Sequence, residues 1–256
     1  MPDFHSIVIL TGAGVSAESG LATFRAADGL WEGHRVEDVA TPEAFVRDPA
    51  VVHQFYDARR ARLSEVAPNA AHVALARLDA EWPGEMLIVT QNVDDLHERA
   101  GAKRLLHMHG ELMRGWCLAC DERFAWEGDM NPATVCPERS RGTLAGGVST
   151  SLDTNGLNLC PSCQAPGMIR PDIVWFGEMP YEMEVIEAAL MGCDLFVSIG
   201  TSGAVYPAAG FVQTAQYVGA RTLEINLEPS QGSLFFDERR YGLASEEVSK
   251  WVEELL

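Results

Sequence analysis

Lysine is almost missing from this chain. Of 19 basic residues two are lysine, Lys103 and Lys250, which leaves seventeen arginines. Physical chemistry gives no reason for that imbalance, and the base composition of a coding sequence is enough to produce it. Positive charge as a whole is short, since 37 Asp and Glu leave a formal net charge of -18. Such a surface repels phosphate backbones and anionic headgroups, so neither nucleic acid nor a membrane is an expected partner. A mild preference for basic protein segments follows from the same charge. Long apolar runs are absent too: no stretch approaches the ~20 residues needed to span a bilayer. The opening Met-Pro-Asp-Phe-His-Ser has no basic n-region and runs directly into an apolar segment. No signal peptide is therefore expected, and a cytoplasmic location is.

What is present suits one large core with a smaller module, in 256 residues of ordinary apolar and charged content. Ile7–Leu10 is a short apolar, β-branched run, as expected of a strand buried on both faces. It gives way to Gly12-Ala13-Gly14, where two glycines allow a tight turn and close approach of the backbone to a ligand. Ser16, Ala17 and Glu18 can open a helix whose N-terminus would face a diphosphate. Strand, glycine turn and helix start is the usual construction of a dinucleotide site, the alternative being a tight turn with no ligand. Two features of the Gly-x-Gly-x-x-Gly pattern are missing: its third glycine is Ala17, and no strand-end acid stands ~20 residues on.

Beyond it, Leu21–Trp31 reads as a loop around Phe24, Arg25 and Trp31, either a ligand lid or a packed surface loop. Thr41-Pro42-Glu43 is a helix start, and residues 42–80 are helical in pattern with a break near Pro68-Asn69. Further buried strands are expected at Met86–Thr90, Leu195–Ile199 and Thr222–Ile225, with an extended piece at Leu105–Gly110. Helical stretches at Asp95–Ala100, Tyr181–Met191, Ala208–Val218 and Ser245–Leu256 separate them. The alternation implies an α/β fold, a doubly wound and mostly parallel Rossmann-like sheet. Four of its strands run out into small or polar residues at their C-terminal ends, where open α/β sheets bind ligands. No internal repeat is visible.

Cys117-Leu-Ala-Cys120 and Cys160-Pro-Ser-Cys163 are paired knuckles suited to one tetrahedral Zn²⁺. A thioredoxin-like redox pair is the alternative, and four thiolates leave it no open position. Such a closed site holds a module together and does not activate water. The Gly142–Gly156 stretch between the pairs is rich in Gly, Ser and Thr and reads as flexible. Cys136 and Cys193 read as buried small residues.

Taken jointly, the chain resembles the sirtuins, NAD-dependent protein deacylases, from Leu10 to about Ser245. The resemblance rests on Gly12-Ala13-Gly14-Val15-Ser16, Gln91-Asn92-Val93-Asp94, His109-Gly110 and the two Cys-x-x-Cys pairs. Val174-Trp175-Phe176-Gly177-Glu178, Gly200-Thr201-Ser202 and Asn226-Leu227-Glu228 complete it. The chain departs from the common pattern at Ala22-Thr23, where many sirtuins carry Pro-Asp, and at Val93 in place of Ile. Both departures fit the bacterial deacylases nearest the acid-acyl-removing branch.

The resemblance implies a set of roles. Gly12, Ala13, Gly14 and Ser16 hold the NAD diphosphate, and Phe24 and Arg25 close over the ribose and nicotinamide, with Ala17, Thr23 and Trp31 also on the cofactor side. Gln91, Asn92 and Asp94 line the nicotinamide pocket. Gly200, Thr201, Ser202, Asn226, Leu227 and Glu228 line the adenosine half, with Ala244 near the adenine. Acyl-lysine is threaded beside Val174, Trp175, Phe176, Gly177 and Glu178 as an added strand. His109 is the general base for a ribose hydroxyl, with His107 its competitor from sequence alone. The products are free lysine, nicotinamide and 2′-O-acyl-ADP-ribose.

Tyr56 and Arg59, three apart on a helix, share a face. Such a pair is either a half-buried phenol beside a solvated cation or a grip for a carboxylate. Tyr-x-x-Arg after Phe resembles the acid-acyl-removing sirtuins, which implies activity on succinyl- and malonyl-lysine besides acetyl-lysine. A Rossmann dehydrogenase and a non-catalytic zinc-ribbon protein are the competing classes, separated from a deacylase by NAD consumption with nicotinamide release. The expected division is an NAD-binding domain at 1–40, 81–112 and 168–256, a helical module at 41–80 and a zinc-binding module at 113–167. Acylated proteins or peptides are the expected partners, and a monomer is the default oligomeric state.

Overall fold

A computed structural model describes residues 4–23, 30–31, 34–126, 128 and 158–256, with the backbone alone at Leu30 and Trp31. Phe24, Arg25, the Trp31 side chain, Cys136 and the Gly142–Gly156 stretch lie outside the described residues. The chain forms β1 (Ser6–Thr11), a 3₁₀ helix (Ala13–Ser19), β2 (Leu30–Trp31), β3 (His34–Arg35) and then α1 (Val36–Val39), α2 (Pro42–Arg47) and α3 (Pro49–Ser64). Next come α4 (Ala70–Glu81), β4 (Glu85–Thr90), α5 (Leu96–Ala100), β5 (Leu105–His107), β6 (Gly110–Cys117), β7 (Arg123–Ala125) and β8 (Ile169–Ile173). The remainder is α6 (Met183–Gly192), β9 (Leu195–Ile199), α7 (Phe211–Tyr217), β10 (Arg221–Asn226), β11 (Glu238–Tyr241) and α8 (Ala244–Leu255). No helix among the described residues is long and apolar enough to cross a membrane.

Two compact units result. One comprises Met1–Glu32, Val66–His109 and Pro180–Leu256, the other Gly33–Glu65 and Gly110–Met179. This differs from the expected division, because the helical stretch 41–80 does not stand alone. Its last helix, α4, sinks Ala71, Leu75 and Leu78 into the core of the first unit beside Val248, Trp251 and Val252 of α8. Its earlier helix α3 instead packs on β6 and β8 of the second unit.

The first unit is built on a six-stranded sheet ordered β11-β10-β9-β1-β4-β5, with every pairing parallel. Counted along the chain with β1 as the first strand, that order is 3-2-1-4-5-6 from the β5 edge, the doubly wound order of dinucleotide-binding sheets. Alternation along β1 feeds both faces. Ile7 and Ile9 join the core under α4 and α8, while Val8 and Leu10 join the core under α6 and α7. Being central, β1 carries apolar residues at every position from Ile7 to Leu10, which made it legible as a strand.

The helix after the glycine turn is not the expected α-helix opened by Ser16. It is a 3₁₀ helix already running from Ala13, capped by Gly20 at φ 97°. The glycines serve the backbone itself. Gly12 N donates to Ile199 O at 3.0 Å and Gly14 N to Gly200 O at 2.9 Å. A Cβ on Gly14 would lie 2.7 Å from the Gly200 Cα, and Gly200, at φ 61°, would place its own 2.5 Å from the Val15 nitrogen. Two loops thus interlock at the ends of β1 and β9, the point where strand order reverses.

The second unit holds an antiparallel sheet ordered β7-β6-β8 with α1 to α3. Thr41 accepts from Ala44 N at 3.1 Å and Asp48 from Val51 N at 3.2 Å, so α2 and α3 each start on a side-chain cap followed by proline. Beneath the sheet a small core gathers Cys117, Trp126, Cys160 and Ile169.

Candidate active site

In the first unit, polar side chains are buried just beyond the switch point. Ser16 Oγ donates to Asp94 Oδ2 at 3.0 Å, accepts from Asn92 Nδ2 at 3.1 Å and lies 3.3 Å from His72 Nε2. Asp94 also accepts from Leu96 N at 3.2 Å, so one carboxylate both starts α5 and holds Ser16. Burial pushes its pKa up, against the bonds from Leu96 and Ser16. Below them Thr11 Oγ1 bonds Thr90 Oγ1 at 2.8 Å and His97 Nε2 at 3.0 Å, all three residues being fully buried. Burial lowers His72 to about 4 and His97 to about 3, so both rings are neutral at pH 7. His72 and His97 escaped sequence reading, because nothing in their local pattern marks either as buried. For His72 the one usable signal was its place at N3 after Asn69, where the two form a capping box.

His109 and His107 are separated by their partners. His109 Nδ1 faces the Gln91 carbonyl at 3.1 Å. A carbonyl only accepts, so the ring proton sits on Nδ1 and the Nε2 lone pair is left for a base. Burial lowers the His109 pKa, with the Gln91 bond opposing it, which keeps the ring neutral. His107 has both nitrogens engaged, with Asn92 O at 3.0 Å and Glu98 Oε1 at 2.6 Å, and so has neither free to meet a substrate hydroxyl.

At the ends of β9 and β10 two loops are tied together. Asn226 Nδ2 donates to Thr201 O at 2.8 Å, Thr201 Oγ1 bonds Ser198 Oγ at 2.8 Å, and Gln231 N donates to Ser202 O at 3.0 Å. Ser202, Leu227 and Glu228 are exposed beside them. Ala244 is the first residue of α8, Ala17 is exposed in the 3₁₀ helix, and Thr23 is half-buried in the loop that follows.

In the second unit Val174–Glu178 is a turn after β8 and not the expected strand edge. Three of its amides are already bonded: Trp175 N donates to Glu178 Oε2 at 2.8 Å and Glu178 N to Trp175 O at 3.0 Å within the turn, and Phe176 N to Ala40 O at 3.0 Å. Gly177 takes φ 91°, open to glycine and strained for other residues. Glu178 is held by Arg170, whose two terminal nitrogens reach it at 2.6 and 2.8 Å. Phe176 is exposed and Trp175 buried, its indole N–H donating to Tyr56 Oη at 2.9 Å. Arg59 is buried on the same face of α3 as Tyr56, its guanidinium 3.1 Å above the Phe55 ring and bonded to Phe55 O at 2.6 Å. Neither side of that pair is solvated.

The four cysteine sulfurs of Cys117, Cys120, Cys160 and Cys163 lie within 4.8 Å of one another, with pairs 3.7 Å apart. Thiolates ~2.3 Å from a zinc ion at tetrahedral corners stand about 3.8 Å apart. The cluster is therefore positioned to hold a zinc ion. Four thiolates would fill its coordination, so Cys117, Cys120, Cys160 and Cys163 would hold a structural ion that joins the two knuckles and would leave no position for an activated water.

Residues 12–207 match the Sir2 family. The chain belongs to that family. A relative from Vibrio vulnificus (strain YJ016), named an NAD-dependent protein deacylase, is 53% identical over 255 residues, 99% of this chain and 94% of the relative. One of the same name from Pasteurella multocida (strain Pm70) is 52% identical over 252 residues, 98% and 97% of the two chains. Among solved structures, a complex of a Sir2 homologue with NAD matches with TM-score 0.81 at 33% identity, over 99% of this chain and 90% of the other. A Sir2 complex with a p53 peptide and NAD+ matches at 0.78 and 26%, over 98% and 94%.

Proposed function

We propose that this Sir2-family chain is an NAD-dependent protein-lysine deacylase acting on acetyl-lysine and, through Tyr56 and Arg59, on succinyl- and malonyl-lysine. The observation that carries the reading is the tautomer of His109: Nδ1 anchored on Gln91 O, Nε2 presenting a lone pair on a neutral ring. In this reading NAD lies beyond β1 and β9, which the doubly wound order supports, with Gly12–Ser16, Gln91, Asn92 and Asp94 toward the diphosphate and nicotinamide. Gly200–Ser202 and Asn226–Glu228 serve the adenosine half, and Ala244 the adenine. NAD supplies the electrophilic ribose carbon that takes the acyl oxygen as nicotinamide leaves.

This chain's residues position, exclude water and move one proton. Ser16, Asn92 and Asp94 hold one another in a dry network, which fixes the amide and carboxylate that address the carboxamide and ribose. His109 Nε2 takes the proton of a ribose hydroxyl, and the Gln91 carbonyl holds the resulting imidazolium at Nδ1. Residues around Val174–Glu178 take the acyl-lysine main chain. Only Tyr56 and Arg59 meet an acid acyl group, the guanidinium pairing with the carboxylate. The burial of Arg59 supports this, since a merely solvated surface cation would not be drawn under a ring. The expected products are free lysine, nicotinamide and 2′-O-acyl-ADP-ribose, in the cytoplasm. Incubation with NAD and acetyl-, succinyl- and malonyl-lysine peptides, read by mass, tests the reading. NADH formation, or no turnover of any peptide, would overturn it.

A further inference from the structure

Glu224 lies mid-strand in β10, in register with Ser198 of β9 and Arg239 of β11, and is 1% exposed. Among the described residues no cation pairs with it. Its carboxylate is satisfied by neutral donors instead: Ser230 N at 3.2 Å on Oε1, then Ser233 Oγ at 2.6 Å and Tyr241 Oη at 3.0 Å on Oε2. Ser233 Oγ and Tyr241 Oη also lie 2.7 Å apart, so their two protons are shared among the three contacts of this triangle. A buried carboxylate is costly unless its lone pairs are filled, so whatever supplies those donors is pulled down onto it.

One of the donors, Tyr241 Oη, comes from the end of β11, and the other two, Ser230 N and Ser233 Oγ, from the segment that follows Asn226, Leu227 and Glu228. That segment is also braced on the neighbouring loop. Gln231 N donates to Ser202 O at 3.0 Å, and a Cβ on Gly203 would meet the Gly232 nitrogen at 2.9 Å. The two loops therefore share one anchor beneath them.

We infer that Glu224 is a positioning residue for the adenosine half of the NAD site, setting the Asn226–Glu228 and Gly200–Ser202 loops without touching the ligand. The inference rests on the proposed assignment of those loops to adenosine. Removing the carboxylate frees the 230–233 segment while leaving His109, Gln91, Asn92 and Asp94 in place. The effect belongs in binding of the adenosine end and not in the chemical step. Glutamine restores most of it, because Oε1 still accepts from Ser230 N and the two hydroxyls can reverse to accept from Nε2.

The test measures kcat and KM for NAD and for an acyl peptide, together with ADP-ribose and nicotinamide binding, in the parent, Glu224→Ala and Glu224→Gln. In Glu224→Ala, KM for NAD and Kd for ADP-ribose should rise on the order of tenfold, from loss of about two hydrogen bonds. The kcat, peptide KM and nicotinamide inhibition should stay within twofold, and Glu224→Gln should recover most of the loss. Tyr241→Phe, at a 42% exposed residue, removes one donor and should shift the same constants two- to fivefold even if the alanine variant does not fold. Unchanged ADP-ribose affinity in both variants, or equal damage to kcat, peptide and NAD constants, would overturn the inference. A parent that binds no ADP-ribose would overturn it through the assignment of the loops.

Discussion

Glu18 caps helix α8 from 227 residues away: its Oε1 accepts from Ser245 N at 2.9 Å and its Oε2 from Ser245 Oγ at 2.6 Å. The residue at the N-cap position, Leu243, has no side chain able to do this. The helix N-terminus meets an anion held by the 3₁₀ helix of the glycine turn, favourable for the dipole and for the open amides. Glu18→Ala should cost about 0.5–2 kcal/mol, the usual worth of a cap. Thermal melting should fall by roughly 2–4 °C per kcal/mol for a chain of this size, and Glu18→Gln should lose less. A melting point unmoved in Glu18→Ala would show the contact to be idle.

The base assignment has a pH signature. Burial depresses the His109 pKa, so the neutral form persists below the ordinary histidine value of 6.5. The acid limb of kcat/KM should then have its midpoint below pH 6.5, and a midpoint above it would contradict the buried base. His109→Ala should lower deacylation about 10²–10⁴-fold while NAD binding survives, since the proton moves after the cofactor is seated. Retained activity in a variant with native circular dichroism would take His109 out of the mechanism.

Legibility in the sequence followed burial. Central strands β1, β4, β9 and β10 were readable because both faces are covered and each carries a short apolar, β-branched stretch, although Ser198 of β9 and Glu224 of β10 are buried polar residues. The edge strand β11 was not, since Glu238, Arg239 and Arg240 look like a polar loop and alternate between half-buried and exposed. Pro171 and two charges similarly hide β8, an edge of its sheet where proline is tolerated. Val174–Glu178 came only through the family motif, and its turn was not legible: Trp175 N closes on the Glu178 side chain and Gly177 turns the chain. Motifs named most of the candidate site residues, yet not their partners. The Ser16–His72 approach and the Glu18–Ser245 cap span 56 and 227 residues, distances over which local pattern carries no signal.

Stability should depend on three buried histidines. Burial lowers His53 and His72 to about 4 and His97 to about 3, while in the unfolded chain each titrates near 6.5. The unfolded state therefore binds more protons below pH 6.5, and stability present above that value is lost as pH falls toward 4. Each proton contributes a slope of about 1.4 kcal/mol per pH unit. Denaturant titrations between pH 6.5 and 4.5 should show His53→Gln with a slope shallower by about that amount. Identical slopes in variant and parent would mean His53 is protonated in the fold.

Zinc removal should act on the second unit. Cys117 and Cys160 are buried in its small core with Trp126 and Ile169, so losing the metal opens that core as well as the knuckles. Chelation or Cys160→Ser should lower the melting temperature and reduce deacylation indirectly, because structural zinc contributes folding free energy outright. One zinc per chain is expected by metal analysis. A zinc-free protein, or Cys160→Ser melting with the parent, would defeat the structural role.

The acyl group offers the sharpest discrimination. Arg59→Met keeps a long apolar stem over the Phe55 ring while removing the cation and its bond to Phe55 O, so its melting is compared with the parent before its kinetics are read. Only an acid acyl group presents a second carboxylate, and a charge-assisted bond is worth about 1.5–3 kcal/mol. KM for succinyl-lysine should rise about tenfold to a hundredfold, with acetyl-lysine nearly unchanged. Tyr56→Phe needs more care, because the Tyr56 hydroxyl is the acceptor for the buried Trp175 indole N–H at 2.9 Å. Its loss strands that donor, costing about 1–3 kcal/mol of stability, so its kinetics must be read at a temperature where melting shows it folded. Under that control it should weaken succinyl-lysine more than acetyl-lysine. Equal losses on both acyl groups would make Tyr56 and Arg59 supports of the fold alone, and no loss from Arg59→Met would move the acid grip elsewhere or abolish it.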